Sequence, residues 1–445
     1  AWKAQQSGWH DQTRAIFANA EIGWKSMIYL TATGRNDWDS RLAFSDYKSF
    51  FYPSIGLSAI LTSMFNAPDW LTYLKVRGSY TEVGNSYGRF MTTVTYPYDE
   101  QTQSWTSTSS YPNTKLKPER TKSWEVGLDA RILNDISLNL TYYRSNTYNQ
   151  TFYADLSLSS GYSNIPIQSG NIMNEGLEMS LGYNKQWKDF SFNTNYTLTW
   201  NKNRVKRLAD GVYNYATGQP IQMPELSPLT YGHTDARLIL RVGGSMGDVY
   251  GQRLLKRDLN GYILNEEGVG LAMENKETYL GSILPKMNMG WSLGFGYKGV
   301  NLGMTFTGRF GGIVISETQS VLDAAGVSKV SADVRDAGGV QINQSKVSAQ
   351  TYYQTIQGTA AYYTYSATNV RLGELSLSYT LPKKWFDNKV GMTVGLVGKN
   401  LWMIYCKAPF DPELTTSAAS NFYQGFDAYM LPSTRNFGFN VKFQF

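Results

Sequence analysis

The chain has 445 residues, 42% hydrophobic and 17% charged, with a formal net charge of +6 and a mean hydropathy of -0.36. That length exceeds one ordinary core, yet no composition shift, Pro-rich linker or charge block divides it. The positive charge is modest and dispersed, which argues against nucleic acid as a partner. No run approaches the ~18 apolar residues of a membrane-spanning helix, and the single Cys406 excludes an internal disulfide and reads as a small buried or loop residue.

Alternation of large apolar with polar residues dominates the pattern, as in strands with one greasy and one wet face. In chain order, Trp124, Val126, Leu128, Ala130 and Ile132 interleave with polar residues and turn at Asn134 and Asp135 into Ile136, Leu138, Leu140 and Tyr142. This reads as a hairpin with a two-residue turn. Leu177, Met179, Leu181 and Tyr183 turn at Lys188 and Asp189 into Phe190, Phe192, Tyr196, Leu198 and Trp200. Met287, Met289, Trp291, Leu293, Phe295 and Tyr297 turn at Lys298 and Gly299 into Val300, Leu302, Met304 and Phe306. Val370 and Leu372 are apolar at even positions and Leu375, Leu377, Tyr379 and Leu381 at odd ones, so a one-residue bulge is expected near Gly373 and Glu374. The end of the chain carries Phe437, Phe439, Val441, Phe443 and Phe445 on one face, the terminal strand expected to take part in barrel assembly.

Short connections are expected near 23–25, 62–70, 134–135, 188–189, 298–299 and 382–388, and long ones near 37–49, 85–119, 155–171, 205–285, 316–366 and 403–433. Their strict alternation, with strands of roughly ten residues or more, predicts an all-β fold, a transmembrane antiparallel β-barrel with turns in the periplasm and loops outside. The count is 13 strands, or 15 if Ala236 to Val242 and Val249 to Leu255 form a further membrane pair. An odd open sheet leaves two edges of unpaired backbone in hydrocarbon, at several kcal/mol per group. The remainder of the same barrel is therefore expected from outside this sequence, which would be a C-terminal portion. Arg131 and Lys442 must face the lumen, because a basic residue at the bilayer midplane costs about 2 to 4 kcal/mol.

Several motifs jointly resemble the SusC/RagA family of TonB-dependent transporters. They include Gly34-Arg35-Asn36-Asp37 with Tyr52-Pro53-Ser54-Ile55-Gly56, and Leu74-Lys75-Val76-Arg77-Gly78-Ser79-Tyr80 with Gly84-Asn85. Pro112-Asn113, Leu116-Lys117-Pro118-Glu119 and Gly127-Leu128-Asp129 follow, with Pro118 where the family usually has an aromatic. Gly170 to Glu178, Val370 to Pro382, Lys399-Asn400-Leu401, Asp411-Pro412-Glu413 and Leu431 to Arg435 complete the order. The resemblance implies an outer-membrane barrel of about 22 strands with a plug, N-terminal strands and a TonB-contacting segment absent here. It also implies a SusD-like surface lipoprotein as lid, the TonB complex as energy source and outer-membrane lipids around the wall. The cargo it implies is oligosaccharide, with oligopeptide as the alternative; a passive porin is a further, lesser alternative to active import.

Loop aromatics are the candidates for stacking on cargo or lid: Trp105, Tyr213, Tyr215, Tyr352, Tyr353, Tyr362 and Tyr363. Enzyme chemistry finds little support, and no catalytic residue, cofactor or metal is expected. His10 and His233 lack a Cys or carboxylate at ligand spacing. Gly294, Gly296 and Gly299 fit a dinucleotide pattern but lead into a hairpin, where they keep the inner wall thin. Asp258 with Asn260-Gly261 reads as a plain turn, not a calcium loop.

Overall fold

The computed structural model describes residues 8–99, 102–208, 219, 225–266, 270–387, 389–414, 416–417 and 421–445. Thirteen strands form one sheet in which each pairs antiparallel with the next along the chain. They are β1 (Thr13–Trp24), β2 (Ile28–Asp39), β3 (Phe50–Ile60), β4 (Leu71–Asn85), β5 (Glu119–Ile132), β6 (Ile136–Asp155) and β7 (Asn164–Trp187). There follow β8 (Phe190–Arg207), β9 (Met287–Tyr297), β10 (Val300–Phe310), β11 (Asn369–Thr380), β12 (Gly391–Cys406) and β13 (Asn436–Gln444). Short connections fall at 25–27, 61–70, 133–135, 188–189, 298–299 and 381–390, and long ones at 40–49, 86–118, 156–163, 208–286, 311–368 and 407–435. Short and long connections alternate along most of the chain, but the strict order is not kept: 40–49 and 61–70 are equal in length, and 156–163 is shorter than either.

Register keeps the two faces distinct. One row runs through directly opposed residues Ile132, Ile136, Tyr183, Thr194, Leu293, Met304, Leu375, Gly398 and Phe437. A second runs through Val76, Leu128, Leu140, Met179, Leu198, Met289, Gly308, Val370 and Tyr405. On the other face, Asn195, Ser292, Thr305, Glu374 and Lys399 oppose one another in sequence. Arg131 pairs with Ser137 and Lys442 with Thr393, both on this polar face. The bulge also stands where the change of parity demands it: Thr305 opposes Glu374 and Phe306 opposes Leu372, so Gly373 is the extra residue.

Two features depart from the sequence reading. The turn after β5 holds three residues, because Ile132 pairs with Ile136, and Leu133 and Asn134 take positive φ of 52° and 61°. A two-residue turn at Asn134 and Asp135 would pair Leu133 with Ile136 and put the apolar sets of β5 and β6 on opposite faces. The 15-strand alternative is also corrected to 13. Arg237–Arg241 and Asp248–Leu255 are strands, but they belong to a separate four-stranded sheet with Glu225–Thr230 and Met273–Ser282. Leu238, Leu240 and Val249 are fully buried there with Val205, Tyr231, Ile315 and Phe426. Their apolar side chains thus fill a protein core, where a wall strand would offer one face to lipid.

If the alternation sets the faces, Leu293→Arg, at mid-strand on the apolar side of β9, is expected to cost about 2 to 4 kcal/mol. Ser292→Arg, one residue away, is expected to be nearly neutral. Urea titration of folding into lipid vesicles, read by heat-modifiable gel mobility, checks the difference; equal effects would refute the face assignment.

Candidate functional site

The polar face of the sheet is built by long side chains lying over small ones. Arg77 of β4 crosses Gly127 of β5, where a Cβ would stand 2.7 Å from its Nε. From there Arg77 donates to Thr141 Oγ1 at 2.6 Å and reaches Asp129 at 3.8 Å and Glu125 at 4.0 Å. Tyr143 of β6 lies over Gly176 of β7, and its hydroxyl donates to Asn201 Oδ1 at 3.0 Å. Gly294 and Gly296 face Asn193 and Ser191 across the β8–β9 ladder and lead into a hairpin with no helix. The result is a thin wall with mixed charge and many hydroxyl and amide groups, suited to polar solutes.

Beyond the long-loop rim, three of the loops fold together. Tyr231, fully buried in the 208–286 loop, donates its hydroxyl to the Phe422 carbonyl at 2.7 Å. Ser316 of the 311–368 loop donates to Asp427 at 2.6 Å, and Asp235 accepts from the Ala360 amide at 2.6 Å. Helices Glu317–Ala324, Lys329–Asp336 and Ala349–Ile356 each begin at a serine whose hydroxyl accepts from a first-turn amide: Ser316, Ser328 and Ser348. Those caps are a signal legible in the sequence that the strand-based reading passed over. Around the loop sheet, Asp248 is buried, which raises its carboxyl, while Ser245 N and the Tyr279 hydroxyl donate to it. Burial first, then Asp248, push the Tyr279 phenol up to about 12.

The aromatic candidates separate by burial. Tyr353 and Tyr363 are 7% and 2% exposed and sit in a core with Leu255, Leu271, Ile342 and Ile356. Both rings pack within the core of the loop assembly, and Tyr353 also borders a cavity beside the Glu317–Ala324 and Ala349–Ile356 helices. Tyr352 and Tyr362 pack against the same core, and the Tyr362 hydroxyl accepts from Leu255 N at 3.1 Å. Tyr213 and Tyr215 lie outside the described residues. Trp105 is 69% exposed, on a small hairpin of the 86–118 loop, its ring 5.0 Å from that of Tyr98. Phe90, Tyr96 and Tyr98 of that loop are exposed as well. The clustering of Tyr96-Pro97-Tyr98 was visible in the sequence but carried no weight without knowledge of which rings a core would take. Phe437, Phe439, Val441 and Phe443 are exposed on the apolar face of β13, and Phe445 follows at the end of the chain. Asp258 spends one carboxylate oxygen on the amides of Asn260 and Tyr262, as a plain turn does.

A family model described as TonB dependent receptor-like, beta-barrel, matches residues 3–401. The chain belongs to the TonB-dependent receptor β-barrel family. Its motifs resemble those of the SusC/RagA type, and its sheet is a wall of the bacterial outer membrane. TonB-dependent receptor P3 of Formosa agariphila is 25% identical over 480 residues, covering 99% of this chain and 46% of that protein. TonB-dependent receptor SusC of Bacteroides thetaiotaomicron is 27% identical over 154 residues, covering 34% of this chain and 14% of SusC. Among solved structures, the RagAB peptide importer in the open-open state shares the fold with a TM-score of 0.73 at 20% identity, over 98% of this chain and 47% of that one. The chain thus spans about half the length of the first relatives it matches.

Two family motifs meet in one clamp. Arg371, from the Val370 to Pro382 stretch, donates to both Asp411 oxygens at 3.0 and 2.8 Å and to Asn369 Oδ1 at 3.2 and 3.1 Å. Glu413 stands 3.4 Å away. Arg371 and Asp411 are both about nine-tenths buried, and the pair fixes the start of the 407–435 loop to β11. Burial pushes the Asp411 carboxyl up, but the hydrogen bonds from Arg371, the Glu413 amide and Ser433, together with the Arg371 charge, outweigh it and hold the group below the usual carboxylate range. A depressed carboxyl stabilises the clamp above its unfolded value of about 3.9 and ceases to do so as pH falls through the folded value. Protection of the 407–414 amides against hydrogen exchange is therefore expected to persist from neutral pH down to about pH 4 and to fall below it. Asp411→Asn, which leaves buried Arg371 without its main partner, is expected to lose about 3 kcal/mol of that protection already at neutral pH.

Proposed function

We propose that this chain is the C-terminal part of a TonB-driven outer-membrane importer whose whole barrel has about 22 strands. Thirteen are present here, and the outer edges of β1 and β13 have no partner in the sheet among the described residues. Bare edges in hydrocarbon are costly, so further strands of the same protein close the wall, around a plug and a TonB-contacting segment. The terminal strand, with Phe437, Phe439, Val441, Phe443 and Phe445, serves barrel assembly. A SusD-like lipoprotein seats on the loop assembly as a lid and hands over the cargo.

The cargo we assign is oligosaccharide, on the exposed rings of Phe90, Tyr96, Tyr98 and Trp105, which offer flat apolar faces at the loop rim. This is the observation that carries the reading. Oligopeptide is the second reading, favoured by the mixed charges of Arg77, Glu125 and Asp129 on the polar face, which match charged side chains and termini.

Uptake of labelled oligosaccharides and oligopeptides by cells carrying the full-length protein distinguishes the two. Import of one class that stops when the proton gradient is dissipated is the expected result, and import that continues would instead mark a passive pore. Trp105→Ala with Tyr98→Ala is expected to weaken oligosaccharide binding about 3- to 10-fold. An unchanged affinity would remove the ring cluster from the site.

A further inference from the structure

We infer that the three helices of the 311–368 loop frame a binding site for a small zwitterion, a molecule bearing an ammonium and a carboxylate, of the class of a free α-amino acid or dipeptide. The inference rests on the loop assembly and not on which cargo crosses the wall.

Helices Glu317–Ala324, Lys329–Asp336 and Ala349–Ile356 leave a cavity of about 480 Å³ between them. That size lies within the ~300 to 1,000 Å³ of small-molecule pockets. All of its lining comes from residues 323–354. It is therefore separate from the polar face of the sheet and from the exposed rings of the 86–118 loop. Open space extends over Gly326, where a Cβ would meet no atom within 4 Å.

One part of the wall is negative. Helix Glu317–Ala324 ends there, and Ala324, Ala325 and Gly326 line the cavity; the carboxyl end of a helix carries the negative pole of its dipole. Asp323 of the last turn is 5% exposed, and its Oδ1 accepts from Gln319 Nε2 and from the Ser328 hydroxyl. Its Oδ2 accepts no hydrogen bond, and no Lys or Arg pairs with it, among the described residues. A buried carboxylate without a cation is costly. Tyr353, 7% exposed, borders the same cavity, and its hydroxyl has no hydrogen-bond partner among the described residues. Burial first, and then the Asp323 charge, raise this phenol, so the hydroxyl stays protonated within electrostatic reach of the carboxylate.

Another part of the wall is positive. Helix Ala349–Ile356 begins there, with Ser348 Oγ accepting from Thr351 N and the Ser348 carbonyl from Tyr352 N. The amides of Ala349 and Gln350, both lining residues, have no acceptor among the described residues. Free amides at the positive pole of a helix attract an anion. Arg335 lines the same cavity. Its Nε lies 3.3 Å from Asp336 Oδ1, an exposed pair of little strength, and its two terminal nitrogens have no acceptor among the described residues. A lone anion would leave Asp323 uncompensated, and a lone cation would leave the amides and Arg335 unmatched. A zwitterion satisfies both: its ammonium on Asp323 Oδ2 and the Tyr353 hydroxyl, its carboxylate on the two amides and Arg335, through charge-assisted hydrogen bonds.

The test uses the full-length protein in detergent, with isothermal titration calorimetry and hydrogen exchange in the presence of L-alanine, L-alanyl-L-alanine, the N-acetylated and C-amidated dipeptides, and galacturonate. Free dipeptide or alanine is expected to bind at least about tenfold more tightly than either blocked dipeptide and to slow exchange across 323–335 and 348–354. Arg335→Gln is expected to abolish the preference over the amide, and Tyr353→Phe, which keeps the ring packing, to weaken zwitterion binding about 3- to 10-fold. Lys329→Gln, off the cavity, is expected to change neither. Unchanged exchange of the three helices without ligand verifies that each variant is folded. No zwitterion binding, equal affinity for the blocked forms, a preference that survives Arg335→Gln, or galacturonate binding as tightly would each overturn the inference, as would binding that leaves the three helices unprotected. Cargo uptake is read separately, so loss of zwitterion binding with uptake intact leaves the import reading standing.

Discussion

Hydrocarbon offers no hydrogen bonds, so each amide and carbonyl that enters it must be satisfied by another strand. The rest of the structure follows from this requirement. It forces a continuous ladder from β1 to β13, and the pleat then makes every second side chain face lipid. A single uncompensated residue would invert a strand, and the chain guards against this in local ways. Three-residue turns at 25–27 and 133–135 keep the apolar sets in phase, and Gly373 absorbs the change of parity within β11.

Outside the band the constraint lifts and different physics takes over. Water satisfies loose backbone, so the long loops are free to build ordinary buried cores, with helices capped by Ser316, Ser328 and Ser348. Residues such as Leu238, Leu240 and Val249 are as apolar as any wall strand but are covered by protein. The loop assembly is joined to the wall by buried polar links, of which Arg371 with Asp411 is the best satisfied. Such a link stabilises one arrangement more than it stabilises folding in general, because an ion pair removed from water gains little beyond its desolvation cost. Its value lies in holding the loop at one place on the rim.

The polar face shows the same economy in another form. Glycines such as Gly127 and Gly176 leave room for Arg77 and Tyr143 to lie flat, so hydrogen bonds run along the wall and space remains above it. The mixed charge of this face and the exposed rings of the 86–118 loop are chemically distinct surfaces at different heights.

Alternation and connection length by themselves determined the strand order, the antiparallel pairing, the placement of Arg131 and Lys442 and the bulge at Gly373, because register in a two-faced sheet is set by residues a few positions apart. Local pattern held no information about which apolar runs leave the wall. Tyr353 and Tyr363 looked like free loop rings, and Arg237–Arg241 with Asp248–Leu255 looked like wall strands, until distant segments at 313–316, 349–363 and 426–427 came to cover them. Periodicity is written between neighbours, whereas burial is conferred by partners far away in the chain, and only the folded structure names them.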